Sequence, residues 1–187
     1  MKPNHSESAE KPAESKISRE ERFVTALIER CQKNKGDAAK LRRANNPATE
    51  YQSWEILATY GVNLESEGER LPFATVAAAI AQEKLKQDGS APLGIALAHC
   101  YDDKQNSDQA KAKLRRLLAC DDVRELVRLL RPLLALIQSK SSKTLSYTGL
   151  LKQLRRFYWD AQRIKATWAQ EFYRQGSSDK KQAEVSE

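Results

Sequence analysis

The sequence predicts an all-α protein built of two small helical bundles, and three observations carry that reading. Apolar residues recur at three- and four-residue spacing through most of the chain. No segment alternates apolar and polar residues with period two for long enough to make a strand. Seven Gly and six Pro in 187 residues are too few for a sandwich or barrel full of tight turns. The length suits one domain or two small helical ones.

The elements follow in order. Residues 1–18 are rich in Ser, Glu, Lys and Pro and read as a disordered tail. A first helix opens after Ser18, with Glu20 and Glu21 in its first turn. Phe23, Leu27 and Ile28 are its apolar positions, and Gly36 is its expected end. Asp37 is placed to cap a short helix over 38–44, stopped by Asn46-Pro47. Tyr51, Trp54, Leu57 and Ala58 recur at helical spacing, as do Phe73, Val76, Ala77, Ile80 and Ala81. The acidic, Gly-containing stretch 63–70 between them reads as a loop. A turn at 87–90 precedes a short apolar helix over 93–100, and 102–107 is a linker. The N-terminal subdomain is therefore 19–104 and the C-terminal one 105–175. The second holds three helices, over 108–119, 123–139 and 147–173. Asp121-Asp122 opens the middle one, and Pro132 is expected to kink or split it. Residues 176–187 read as a second disordered tail.

Charge distinguishes the two halves. The net charge is +7 and the isoelectric point about 9.3. Residues 105–175 hold fifteen basic and six acidic groups, a net of +9, while the rest is balanced. A concentrated positive field suits a polyanion, most often nucleic acid. Mean hydropathy is −0.70. No run of eighteen apolar residues exists, and the polar N-terminus has no apolar signal core, so neither a membrane helix nor a secretory signal is expected. Cys31, Cys100 and Cys120 fit no disulfide framework, which makes a reducing cytoplasm the default.

Counting about 100° per residue along the last helix separates two faces. Leu150, Leu154, Phe157, Ala161, Ile164, Trp168 and Phe172 share the core side, with Leu151 and Tyr158 at its edge. Lys152, Arg155, Arg156, Trp159 and Arg163 lie opposite. Trp159 on that basic face has three readings: packing on protein, stacking on a base, or lying under an Arg. Lys165 falls on the apolar edge and is expected to snorkel. In the middle helix Val123, Leu126, Val127, Leu130, Leu133, Leu134 and Ile137 make the buried stripe, with Arg124, Arg128 and Arg131 on a flank. Lys111, Arg115 and Arg116 cluster in the preceding helix. Paired Arg groups grip phosphates bidentately. The competing reading pairs several of them with Asp108, Asp122 or Glu125.

No catalytic constellation stands out. His5 is in the tail, and His99 reads as a core or rim residue. No CxxC, HExxH or GxxxxGK[ST] pattern occurs. Capping accounts for Asp102-Asp103 and Asp121-Asp122. No nucleophile has a base and an orienter at readable spacing, so no enzyme, metal or cofactor is expected.

Several segments follow one another in a recognisable order. They are Leu41-Arg42-Arg43, the run from Leu93 to Ala98, Leu114-Arg115-Arg116-Leu117-Leu118 and Leu130-Arg131-Pro132-Leu133-Leu134. The aromatic and Leu positions from Tyr147 to Phe172 come last. This order resembles the CasB family, the small subunit of the type I-E CRISPR Cascade surveillance complex, from about Arg22 to Tyr173. The resemblance implies two helical subdomains, two copies side by side in the complex and no nuclease activity. It implies contacts with other Cascade subunits, the CRISPR RNA and target DNA in the R-loop, through backbone rather than sequence. Arg42 and Arg43 match the family's early Arg pair, Arg115 and Arg116 its basic helix, and Arg131 its Leu-rich helix. Arg155, Arg156 and Arg163 rest on helical phase. The tail before the first helix and the Glu65 to Glu69 stretch look like local additions. The alternative function is a helical adaptor whose Arg face and Trp159 dock acidic protein surfaces. A helix-turn-helix regulator fits less well, because no short helix pair carries a recognition helix dense in base-reading residues.

Overall fold

In a computed structural model of the chain the described residues are 17–183, with side chains described as far as Arg174. The expectations for 1–16 and 184–187 fall outside them. Helix α1, Arg19–Lys33, is capped as the sequence predicts: Ser18 Oγ accepts from the Glu21 N–H at 3.2 Å. It ends earlier than Gly36. The Asn34 N–H closes α1 on the Arg30 carbonyl, while the Asn34 side chain accepts from Gly36 and Asp37 N–H. One residue thus ends α1 and starts α2, Lys35–Arg42. Asp37 is not the cap; its carboxylate takes Arg30 Nε at 2.6 Å.

Two 3₁₀ segments, Arg43–Asn45 and Pro47–Ser53, lead into α3, Trp54–Thr59. The three-residue 3₁₀ period shifts the phase here. Ser53, Ile56 and Leu57 turn inward, and Tyr51 and Trp54 are left 59% and 37% exposed.

Helix α4, Glu67–Glu83, begins inside the stretch read as a loop. Every residue from Leu71 to Ala81 is buried, as for a helix apolar on all sides. Helices α1, α2, α7 and α8 pack around it, where its alanines allow close approach. The next helix, α5 (Leu93–Ala98), lies on α8, Tyr147–Ala183. That contact requires Gly94, since a Cβ there would stand 2.5 Å from the Trp168 carbonyl oxygen. Nearby, Ala91 N–H donates to Thr144 O at 3.0 Å and Ser146 N–H to Ala91 O at 2.8 Å. Gly89 passes so close to this tie that a Cβ would meet Thr144 O at 2.3 Å.

Ser107 caps α6, Asp108–Leu118, and Asp122 caps α7, Val123–Lys140. Asp103 makes no side-chain capping bond. Of the two outcomes expected at Pro132, the split does not occur: α7 runs through it as one helix. The carbonyl it leaves unbonded belongs to exposed Arg128, where water can take it. The first turn of α8 is held from a distance, by Asp88 accepting from Tyr147 N–H at 2.8 Å and Thr148 N–H at 3.0 Å. Helix α8 is not continuous: Asp160, at φ −132° and ψ 27°, breaks it into two arms. Its backbone runs as helix past Gly176 to Ala183, where the sequence suggests a tail. No proline interrupts that stretch, and glycine alone costs a helix only about 1 kcal/mol.

The all-α reading holds throughout the described residues. Buried apolar residues from Phe23 to Phe172 form one cluster that draws on both sides of the 104/105 boundary. The change of charge there is a change of surface over a shared core.

Candidate nucleic-acid interface

The predicted cations separate by what their neighbours do to them. Arg131 lies only 9% exposed on α7, not on an open flank. Its Nη2 meets Glu50 Oε2 at 3.1 Å, and Arg70 Nε meets Glu50 Oε1 at 3.0 Å. Burial lowers the Arg131 pKa, and Glu50 pulls against that shift. One carboxylate from the 3₁₀ segment therefore holds two guanidiniums, one of them in the core.

Arg155 is likewise turned inward. It bonds Glu20 of α1 and lies over the Phe73 ring at 5.6 Å. Burial pushes the Glu20 carboxyl up, but its backbone hydrogen bond and Arg155 bring it below its ordinary value. Arg124 reaches Glu67 with both carboxylate oxygens within 2.7 Å. That hydrogen bond holds Glu67 below the usual range and raises Arg124. These three cations of the basic half thus bind carboxylates of the balanced half. None of these carboxylates is close by along the chain, so helical spacing alone does not reveal them.

Two nearby acids do act as foreseen. Lys111 Nζ stands 3.6 Å from Asp108 and donates to the Asn106 carbonyl at 3.0 Å. Arg128 reaches Glu125 at 3.9 Å, an exposed contact of little strength. In the first half, Arg42 donates to the Ala81 carbonyl at 3.4 Å and Arg43 to the Gln52 side chain, both still exposed.

Arg115, Arg116, Arg156 and Arg163 are exposed and have no side-chain partner among the described residues. The first two project from the last turn of α6. Arg156 and Arg163 join Lys152, Gln153, Asp160 and Thr167 around a recess of about 160 Å³ at the α8 break. Lys165, by contrast, is buried, with Nζ 3.2 Å from Asp121 and 5.9 Å from the Phe157 ring centroid. Its aliphatic stem covers apolar surface, as its phase predicts.

Sequence reasoning missed a cleft of about 1080 Å³ between the 3₁₀ segment and α7. Tyr51 and Trp54 line it with Arg70, Arg124 and Arg128, and Arg70 lies 5.6 Å from the Trp54 ring centroid. The only available signal was the Pro47 start of a 3₁₀ turn, which displaces both aromatics from the core phase.

The thiols are poor nucleophiles. Burial pushes Cys100 and Cys120 up to about 11, and Cys31 is also raised by burial. His99 sits at the rim of the core, with Nδ1 3.3 Å from Ser142 Oγ. No three His, Cys, Asp or Glu side chains converge on a metal position among the described residues. No helix among them is long and apolar enough to cross a membrane.

Solved structures share this fold, three of them as follows. A chain of a "CRISPR RNA-guided surveillance complex" aligns with a TM-score of 0.71 at 20% identity, covering 89% of this chain and 98% of that one. CasB from M. ruber gives 0.69 at 21% identity over 88% and 98%. A Cse2-family protein from Thermus thermophilus gives 0.63 at 24% identity over 84% and 99%. At these identities the likeness is one of fold. No curated protein matches the sequence. The family model for CRISPR-associated protein Cse2 matches residues 37–173, most of the chain. On that match, this chain belongs to the Cse2 family of CRISPR-associated proteins.

Proposed function

We propose that the chain is the non-catalytic small subunit of a type I-E CRISPR RNA-guided surveillance complex, Cascade, acting in antiviral defence in the cytoplasm. Its partners are the CRISPR RNA, target DNA in the R-loop, other Cascade subunits and a second copy of itself. Family membership supports this reading, as does the fold shared with a chain of a surveillance complex. The observation that carries the binding role is the Arg115-Arg116 pair, exposed on α6 without a carboxylate partner among the described residues.

The mechanism is electrostatic. Exchange of a DNA duplex for a guide–target duplex is nearly balanced in free energy. Arg115, Arg116, Arg156 and Arg163 offset phosphate repulsion along the guide-bound target strand and the displaced strand. Arg42, Arg43, Lys111, Arg128 and Lys152 add to that field. A few such contacts, each on the order of 1 kcal/mol or less when exposed, tip a balanced exchange toward the open state. Arg131 and Arg155 are held by carboxylates within the fold, while Arg124 shares the exposed Glu67 at the surface and remains within reach of the same field.

Fluorescence anisotropy of labelled single-stranded DNA, single-stranded RNA and duplex DNA at two salt concentrations tests this. Sequence-independent binding that collapses with salt is expected. Absence of binding at low salt would move the adaptor reading to first place, with the Tyr51–Trp54 cleft as its docking surface.

A further inference from the structure

Two large aromatics stand in water beside the break in α8. Tyr158 is 88% exposed and Trp159 69% exposed. Neither ring stacks on another ring or lies under a cation among the described residues. Two of the three aromatic groups that follow in α8, Trp168 and Phe172, are fully buried. The pair is therefore not a frayed edge of the core. The core stripe runs on through Phe157, Ala161 and Ile164, and the pair lies off it beside Asp160, which departs from helical geometry.

The charge around the pair is specific in kind. Arg156 precedes Trp159 by one turn, and Arg156, Arg163 and Lys152 share the recess with a single carboxylate, Asp160. Three cations against one acid make a surface that attracts an anion. Trp159, one helical turn along the chain from Arg156, leaves most of its flat apolar ring exposed. An occupant of this surface must supply an anion and a flat apolar face at about one-turn spacing. An unpaired nucleotide supplies both at that spacing, with a phosphate for the arginines and a base with an exposed π-face for the ring. A duplex cannot, since its bases are already stacked.

We propose that Trp159, with Tyr158 beside it, is a stacking platform for a base of an unpaired DNA strand, whose phosphates are held by Arg156, Arg163 and Lys152. This rests on the nucleic-acid reading above and deepens it. In an R-loop the guide is paired with the target, so the displaced DNA strand is the one with free bases. The platform makes binding depend on the presence of bases, although not on their sequence, because every base has a π-face.

The test compares two strands with the same phosphates. Full-length protein is titrated with labelled oligothymidylate and with an abasic oligonucleotide of equal length, at one salt concentration. Oligothymidylate is expected to bind about tenfold more tightly. Trp159→Ala should reduce that preference and the Tyr158→Ala/Trp159→Ala pair abolish it. Abasic affinity and circular dichroism should stay unchanged, and Trp159→Phe should restore part of the preference. Equal binding of both strands by the native protein would overturn the platform and leave the phosphate reading standing. Binding of neither strand would overturn both. A preference that survives in the double variant would also overturn it. So would a double variant that binds DNA normally but no longer assembles with the other subunits, since it would mark the pair as a protein contact.

Discussion

The inward and outward arginines of the C-terminal half do different work with the same side chain. Arg131 and Arg155 reach back to Glu50 and Glu20 in the N-terminal half, across 81 and 135 residues of chain. They fasten α7 and α8 to the elements around α4. Arg115, Arg116, Arg156 and Arg163 point away and meet no acid among the described residues. The surplus charge of the block is therefore an upper bound on its binding face. What matters for a polyanion is the fraction of that charge left unpaired once the fold has closed.

The sharpest way to break this contrast is at Glu50. Glu50→Gln strips the counter-charge from buried Arg131 and from Arg70 together. Removing one partner of a buried pair costs about 3–5 kcal/mol. Urea denaturation should show that loss, with nucleic-acid affinity of the still-folded fraction unchanged. A smaller effect, of opposite kind, is expected outside. Reversing both Arg115 and Arg116 to Glu should weaken single-strand binding about tenfold or more and lower the log–log salt slope by roughly 0.7 per lost contact. The urea midpoint should fall only slightly, by the equivalent of the ~1–2 kcal/mol that two negative charges cost in the last turn of α6.

Which arginine belongs to which class was only partly legible in the sequence. Helical phase placed Leu154, Phe157, Ile164 and Trp168 in the core and Arg156 and Arg163 outside, because a 3.6-residue period is a local property. It failed for Arg155 and Arg131, whose partners are brought near only by tertiary packing. The Ser18 and Asp122 caps were readable for the same local reason. The start of α4 was not. Glu67 to Arg70 looks like a loop by composition, yet acidic residues favour a helix N-terminus, and the buried run that follows stabilises the turn. The break at Asp160 left no mark in the sequence, since neither Pro nor Gly is there.

Arg155 offers an intermediate case. Arg155→Ala removes the Glu20 bond and the contact with Phe73, for an expected loss of about 1–2 kcal/mol, discounted for partial exposure. Glu20 has a folded pKa below its ordinary value, so its contribution is present above the unfolded pKa and is lost as pH falls through the folded one. The variant should accordingly lose less stability than the native protein on acidification below about pH 4.5, measured by thermal melts across that range.

The smallest effect concerns Glu83, which burial raises although the Tyr147 hydroxyl donates to it and pulls the other way. A raised carboxyl pKa means that the folded state holds its proton more firmly than the unfolded chain. The stabilisation is complete below the unfolded pKa and is lost as pH rises through the folded value. Glu83→Gln keeps an acceptor for Tyr147. It should flatten the decline in stability above about pH 4.5, seen as a shallower fall of the thermal midpoint toward neutrality than in the native chain.

The most direct test sets the outward cations against the inward ones in one assay. Single-stranded DNA binding is measured over a range of salt for the native chain and for a variant with Arg115, Arg116, Arg156 and Arg163 all changed to Gln. The account predicts a much shallower salt slope and an unchanged melting temperature for the variant. An unaltered slope, or a melting temperature that falls with the charges, would show that these four arginines are part of the fold's own electrostatics and not a surface for nucleic acid.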